Sequence, residues 1–182
     1  MKKRIAMLVA VIMAILSFGM VSFAKGNVTE LKWSDGEKTA KQEGIKGKFV
    51  ELDEVAIKFW LPNDYKASKL TKDDKENGYI AYYEDGKTDG VVAVVLLDAG
   101  IKSLSDYKKE LKKMDDVSEI EDCIINDIDC IGYRVKDENT MNISYSTESG
   151  KILEFTFAPV TDDDDDSITV PAIIMSSIQE TD

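Results

Sequence analysis

Histidine is absent from all 182 residues, and that absence narrows the chemistry before any fold is considered. It removes the usual general base at neutral pH, the commonest zinc ligand, and every Ser–His or Cys–His nucleophile. No glycine-rich phosphate loop is present either, since the glycines are scattered through turns. Carboxylates remain, 35 Asp and Glu against 23 Lys and Arg. Glycoside hydrolysis needs only two of them across a cleft, so a carboxylate-based glycan hydrolase stays open as a second reading. No pair stands out among so many, and no catalytic residue is assigned.

Three groups of residues stand out by type and spacing. The first is the aspartate run Asp162, Asp163, Asp164, Asp165 and Asp166. Calcium accepts several carboxylate and carbonyl oxygens in a flexible loop, so the run is a candidate metal site with weak calcium affinity, the one cofactor to consider. It lacks the alternating ligands, central Gly and distal Glu of an EF-hand. The plainer account is a solvated loop whose charge favours the N-terminus of the helix that follows. The second group is aromatic: Trp60 lies on the side of its strand away from the hairpin core, and Tyr82 and Tyr83 sit on adjacent faces of the next strand. They are candidates for an exposed binding patch, or for packing beneath a helix. The third is the cysteine pair. A two-residue turn at Asn126-Asp127 places Cys123 directly opposite Cys130, with a Cα separation of about 5.5 Å if the pair is hydrogen-bonded. In an exported protein such a pair is expected to form a disulfide, worth roughly 2 to 3 kcal/mol less any strain. The spacing is not Cys-x-x-Cys, which argues against a redox-active pair.

These residues need elements to hold them. The opening FVELDEVAIKFWLP reads as a β-hairpin turning at Asp53 and Glu54, with Leu52 facing Val55 and Val50 facing Ile57. Val50, Leu52, Val55, Ile57, Phe59 and Leu61 then share the core side, and Pro62 ends the second strand. Ahead of it, Ser34 and Glu37 make a capping-box pair for a short helix from about Asp35 to Glu43, stopped at Gly44. Thr71 is placed to cap one helical turn. Tyr79 to Glu84 and Val91 to Leu97 form a second hairpin, and VVAVVLL, apolar on both faces, predicts a central strand covered on both sides. Ser103 opens an amphipathic helix with Leu104, Tyr107, Leu111 and Met114 on one face and a solvated lysine back. Ile120 to Ile125 pairs with Ile128 to Val135, and Met141 to Thr147 with Ile152 to Phe157. The last helix is expected over Val170 to Gln179, with Pro171 in its first turn.

The N-terminal MKKRIAMLVAVIMAILSFGMVSFA is the pattern of a signal peptide, residues 1–24, with Ser22 and Ala24 at the positions a signal peptidase reads. An apolar run of this length is also long enough to remain as an anchor. Cleavage removes Lys2, Lys3 and Arg4, takes the net charge from −12 to −15, and leaves Arg134 as the one arginine. So acidic a surface disfavours nucleic acid and anionic lipid and keeps the chain soluble. What remains suits one domain: a tether and short helix over 25–46, then an α+β unit over 47–182.

The order of segments, FWLPNDY, the two-sided strand, the Ser103 helix, IINDIDCIGYRV, ISYSTESGKILEFTFAP and IIMSSIQ, resembles the PsbP-like (Mog-type) α/β sandwich over about Gly47 to Gln179. Uncharacterised secreted proteins of Firmicutes look similar. The resemblance implies a single antiparallel sheet of about six to eight strands flanked by helices, and non-enzymatic work such as assembly or binding. No residue here matches the family's binding surfaces. The expectation is therefore a secreted, monomeric binding or assembly module, its partner an unknown protein or cell-surface polymer, free of the membrane after cleavage. Calcium-dependent adhesion is a third possibility.

Overall fold

The computed structural model describes residues 28–97, 100–101, 103–135, 138–161 and 165–181, and for residues 165 and 166 the backbone only. The expected signal peptide, residues 1–24, and Asp162, Asp163 and Asp164 lie outside the described residues. In chain order the elements are β1 (Thr29–Leu31), α1 (Trp33–Glu43), β2 (Gly47–Leu52), β3 (Ile57–Pro62), β4 (Tyr65–Ala67), α2 (Lys72–Glu76), β5 (Tyr79–Asp85), β6 (Val91–Leu97), α3 (Leu104–Leu111), β7 (Val117–Ile125), β8 (Ile128–Val135), β9 (Thr140–Ser146), β10 (Ile152–Ala158), α4 (Asp165–Ser176) and β11 (Gln179–Glu180). Eight strands form one sheet in the order β1-β7-β8-β9-β10-β6-β5-β4, and β11-β3-β2 form a second, smaller one.

The main core lies between the large sheet and a layer made of the small sheet and α4. Period-two alternation puts Phe155 and Phe157 of β10, Val92 and Val94 of β6 and Tyr83 of β5 on this face. They meet Phe59 from the small sheet and Ile174 from α4. Phe59 packs edge-on against Phe155 and Tyr83, with ring centroids 5.2 and 5.8 Å apart. Such ring pairs each add about 0.5–1.5 kcal/mol to area burial. On the opposite face, Tyr107 and Leu111 of α3 cover Ile131, Tyr133 and Ile152. On the outer side, α1 closes over Trp60 and Ile173. VVAVVLL is an interior strand, as its two apolar faces require, with Val92, Ala93, Val94 and Val95 all buried.

Several expectations need correction. The sheet is neither single nor wholly antiparallel. The opening hairpin belongs to the small sheet, and β1, from the stretch read as a tether, pairs parallel with β7. The hairpin turn is longer than two residues: Asp53–Val55 form a 3-10 turn and Ala56 has φ 52°, so Leu52 faces Ile57 and Val50 faces Phe59. The alternation survives because the longer turn moves the register by two residues, and Leu52, Ile57, Phe59 and Leu61 remain buried. The Ser103 helix ends at Leu111, which leaves Met114 exposed. The last helix starts at Asp165, so Pro171 falls inside it and not in its first turn.

The cysteines obey the predicted register, Cys123 opposite Cys130, yet the expected disulfide is not formed and both are free, buried thiols. Cys130 Sγ–H donates to the Ile128 carbonyl on its own strand at 3.2 Å. A hydrogen bond with Cys123 and then burial hold the Cys130 thiol far above the usual thiol range. A protonated, buried thiol is a poor nucleophile.

Asn126 joins the layers. At φ 46° in the β7–β8 turn, its Oδ1 accepts the Trp33 backbone N–H at 2.9 Å. Its Nδ2 donates to the carbonyls of Ser176 and Ile178, both at 2.8 Å. The end of α4 is held from a second side, where the Trp60 N–H donates to Ser177 Oγ at 2.7 Å. Near it Gly36 lets α1 approach closely, since a Cβ there would stand 1.9 Å from Ser176 Oγ.

Two outcomes follow. Asn126→Ala removes all three side-chain bonds and places a Cβ-bearing residue with no local polar partner at positive φ. It should cost roughly 3 kcal/mol in urea unfolding, and Asn126→Gly about 1 kcal/mol less. Losses under about 1 kcal/mol for both variants would contradict the joining role. In a thiol titration of purified protein, neither cysteine should react while the fold is intact, and both should react in denaturant without reductant.

Candidate ligand pocket

β8 alternates cleanly, with Cys130, Gly132 and Arg134 on the side facing α4 and Ile131, Tyr133 and Val135 facing α3. Gly132 puts no side chain into the middle of that first row. A glycine inside a strand weakens it and often marks a close approach by something else. Here it leaves a floor. Above it a cavity of about 140 Å³ is walled by Leu31 and Ile143 from the sheet and by Ile168, Ala172 and Met175 from α4. The space at Gly132 is limited, because a Cβ would come within 3.3 Å of Ile143 Cδ1.

The rim of this cavity is charged. Arg134, with its side chain only 20 % exposed, lies beside Glu119, whose side chain is 50 % exposed. Arg134 Nη1 is 3.9 Å from Glu119 Oε2, at the outer limit of an ion pair. Nη2 donates to the Val160 carbonyl at 3.1 Å. Glu119 sits where the β7–β8 register slips, at φ 54°, and a bulge of this kind re-aims a side chain. Directly across the ladder from Arg134 is Ser118. Its Oγ is buried with no hydrogen-bond partner among the described residues.

A second polar cluster lies on the other face of the sheet. Glu154 Oε2 accepts from Tyr133 Oη at 2.6 Å, Ser144 Oγ at 2.7 Å and Tyr107 Oη at 2.8 Å. Burial first, and the Glu154 carboxylate second, raise both tyrosines well above the ordinary phenol range. They are neutral donors at any physiological pH and do not act as bases. The cluster fastens α3 to the sheet, and all three donors converge on one carboxylate oxygen.

The aromatic residues singled out from the sequence do not make one patch. Trp60 and Tyr83 are buried, in the small sheet and the main core respectively. Tyr82 is half-buried on the opposite face of the large sheet. Strand alternation separates Tyr82 from Tyr83, and Trp60 is covered by α1. Trp33 stacks at a tilt on Trp60, centroids 5.6 Å apart, and meets Phe49 edge-on at 5.5 Å. In the aspartate run, Asp165 and Asp166 begin α4, and the rest falls outside the description. Among the described residues, no group of three or more Cys, Asp or Glu is placed to hold a metal ion. No described helix is long and apolar enough to cross a membrane. Gly132 and Arg134, which define the pocket, were passed over in the sequence. The pattern that marks them is an interior-strand glycine two residues from Arg134, one of two arginines in the chain.

No protein-family model matches the chain, and no curated protein matches its sequence. Solved structures do. A crystal structure from Bacteroides thetaiotaomicron VPI-5482 aligns at 13 % identity with a TM-score of 0.47, covering 76 % of this chain and 50 % of the other. The solution structure of cyanobacterial PsbP (CyanoP) from Synechocystis sp. PCC 6803 aligns at 12 % identity with a TM-score of 0.53, covering 75 % of this chain and 93 % of that one. The second likeness shows the architecture alone: the eight-stranded sheet and its flanking helices have a PsbP-like fold.

Proposed function

We propose that this chain is an exported binding module, not an enzyme, and that it holds a small, largely apolar molecule beneath α4. The observation that carries the reading is the cavity above Gly132. An apolar cavity of about 140 Å³, open at its rim, at a glycine in mid-strand has room for a molecule of benzene size. Ligand sites are typically concave and apolar with a few placed polar groups, which describes this cavity and its rim. The hydrolase alternative draws less support. The polar cluster at Glu154 has one acidic group, and three protein donors converge on one of its oxygens.

Thermal unfolding in the presence of toluene tests the reading with a neutral probe of the right size. At a concentration well above its dissociation constant the probe should stabilise the folded state by about 2 to 3 kcal/mol and raise Tm by several degrees. Ala172→Phe, which fills the cavity from α4, should abolish the shift. No Tm response in the unsubstituted protein, or an equal response in Ala172→Phe, would remove the pocket as the site.

A further inference from the structure

Resting on the pocket as the binding site, we infer that its ligand is a single-ring aromatic molecule, bordered by sulfur from Cys123, Met141 and Met175. Size admits a ring, since the space is about 140 Å³ and a cavity of about 150 Å³ accepts benzene. Size alone does not separate an aromatic ring from a saturated one of equal bulk. The lining does.

Three of the side chains that wall the cavity carry sulfur, and they come from three elements. In the large sheet β8 lies between β7 and β9, so Gly132 is flanked by the strand that carries Cys123 and by the strand that carries Met141. Cys123 pairs with Cys130, two residues before Gly132, and Met141 pairs with Arg134, two residues after it. Alternation therefore puts both on the Gly132 side of the sheet, diagonally across the floor of the cavity. A Cβ built on Gly132 would stand 3.9 Å from Cys123 Sγ. Met175, buried, closes the space from α4. A ring lying over Gly132 thus has a sulfur-bearing strand on either side, each about 4.8 Å away. Favourable contacts between sulfur and an aromatic ring are made at about 5 Å, often at the ring edge, and each contributes about 0.3–1.5 kcal/mol. The positive edge of an aromatic quadrupole meets polarizable sulfur there, and a saturated ring has no such edge.

The experiment compares benzyl alcohol with cyclohexylmethanol by calorimetry on the purified protein. The two probes share one heavy-atom skeleton and differ only in the saturation of the ring. Burial of apolar surface by itself favours the saturated ring, which is the more hydrophobic. Benzyl alcohol should nevertheless bind the more tightly, by about threefold or more. Met141→Leu and Met175→Leu keep the bulk of the side chain and remove its sulfur. Each should weaken benzyl alcohol about two- to tenfold and change cyclohexylmethanol by less than about twofold. If one variant fails to fold, the other decides. Tighter binding of cyclohexylmethanol to the unsubstituted protein, or equal losses for the two alcohols in the variants, overturns the aromatic assignment and leaves the apolar pocket standing. Binding of neither alcohol overturns it too, and with no Tm response to toluene the pocket falls as well.

Discussion

The structure depends on one amide. Helix ends leave backbone N–H and C=O groups without partners, and each must find one. Asn126 serves two helices at once from the tip of a hairpin, accepting the first N–H of α1 and donating to the carbonyl of the last α4 residue and to one just beyond it. A tight two-residue turn needs positive φ, which asparagine adopts more readily than most residues, and the same side chain has one acceptor and two donors. Large sheet, small sheet, α1 and α4 therefore meet at a point that one residue satisfies.

That junction also explains a local failure of capping. Ser34 and Glu37 have the spacing of a capping box, yet α1 starts two residues earlier, after Lys32, with no side-chain cap of its own. The cap is delivered from 93 residues away in sequence. At Thr71 and Ser103, where no distant group intervenes, the local rule holds and both hydroxyls accept the N–H three residues on.

Fixing α4 at its C-terminal end has a consequence for the opposite end. Ser177 and Asn126 hold the last turn close to the sheets, while Ile168 and Ala172, nearer the start, span β8 at the place where Gly132 has no side chain. The helix cannot settle onto the gap without losing its anchors, so the hollow persists. The sheet's other face shows the contrast. There Glu154 fills the centre of its cluster, every donor has a partner, and the polar groups serve to fasten α3.

Alternation and turn chemistry determined a good deal by themselves. The buried side of β2 and β3, the two-faced burial of β6, the Asn126-Asp127 turn, the opposition of Cys123 and Cys130 and the helix starts at Thr71 and Ser103 are all written in neighbouring residues. Their causes are local: side-chain period, positive-φ turn residues and hydroxyl caps act within a few positions. Tertiary structure alone decided which sheet each hairpin joins, the parallel pairing of β1, and the free state of the two buried thiols. It also decided the meeting of Gly132, Arg134 and α4 around a cavity. Those outcomes depend on residues far apart in the chain competing for the same space and the same hydrogen bonds, a competition that no short stretch of sequence records.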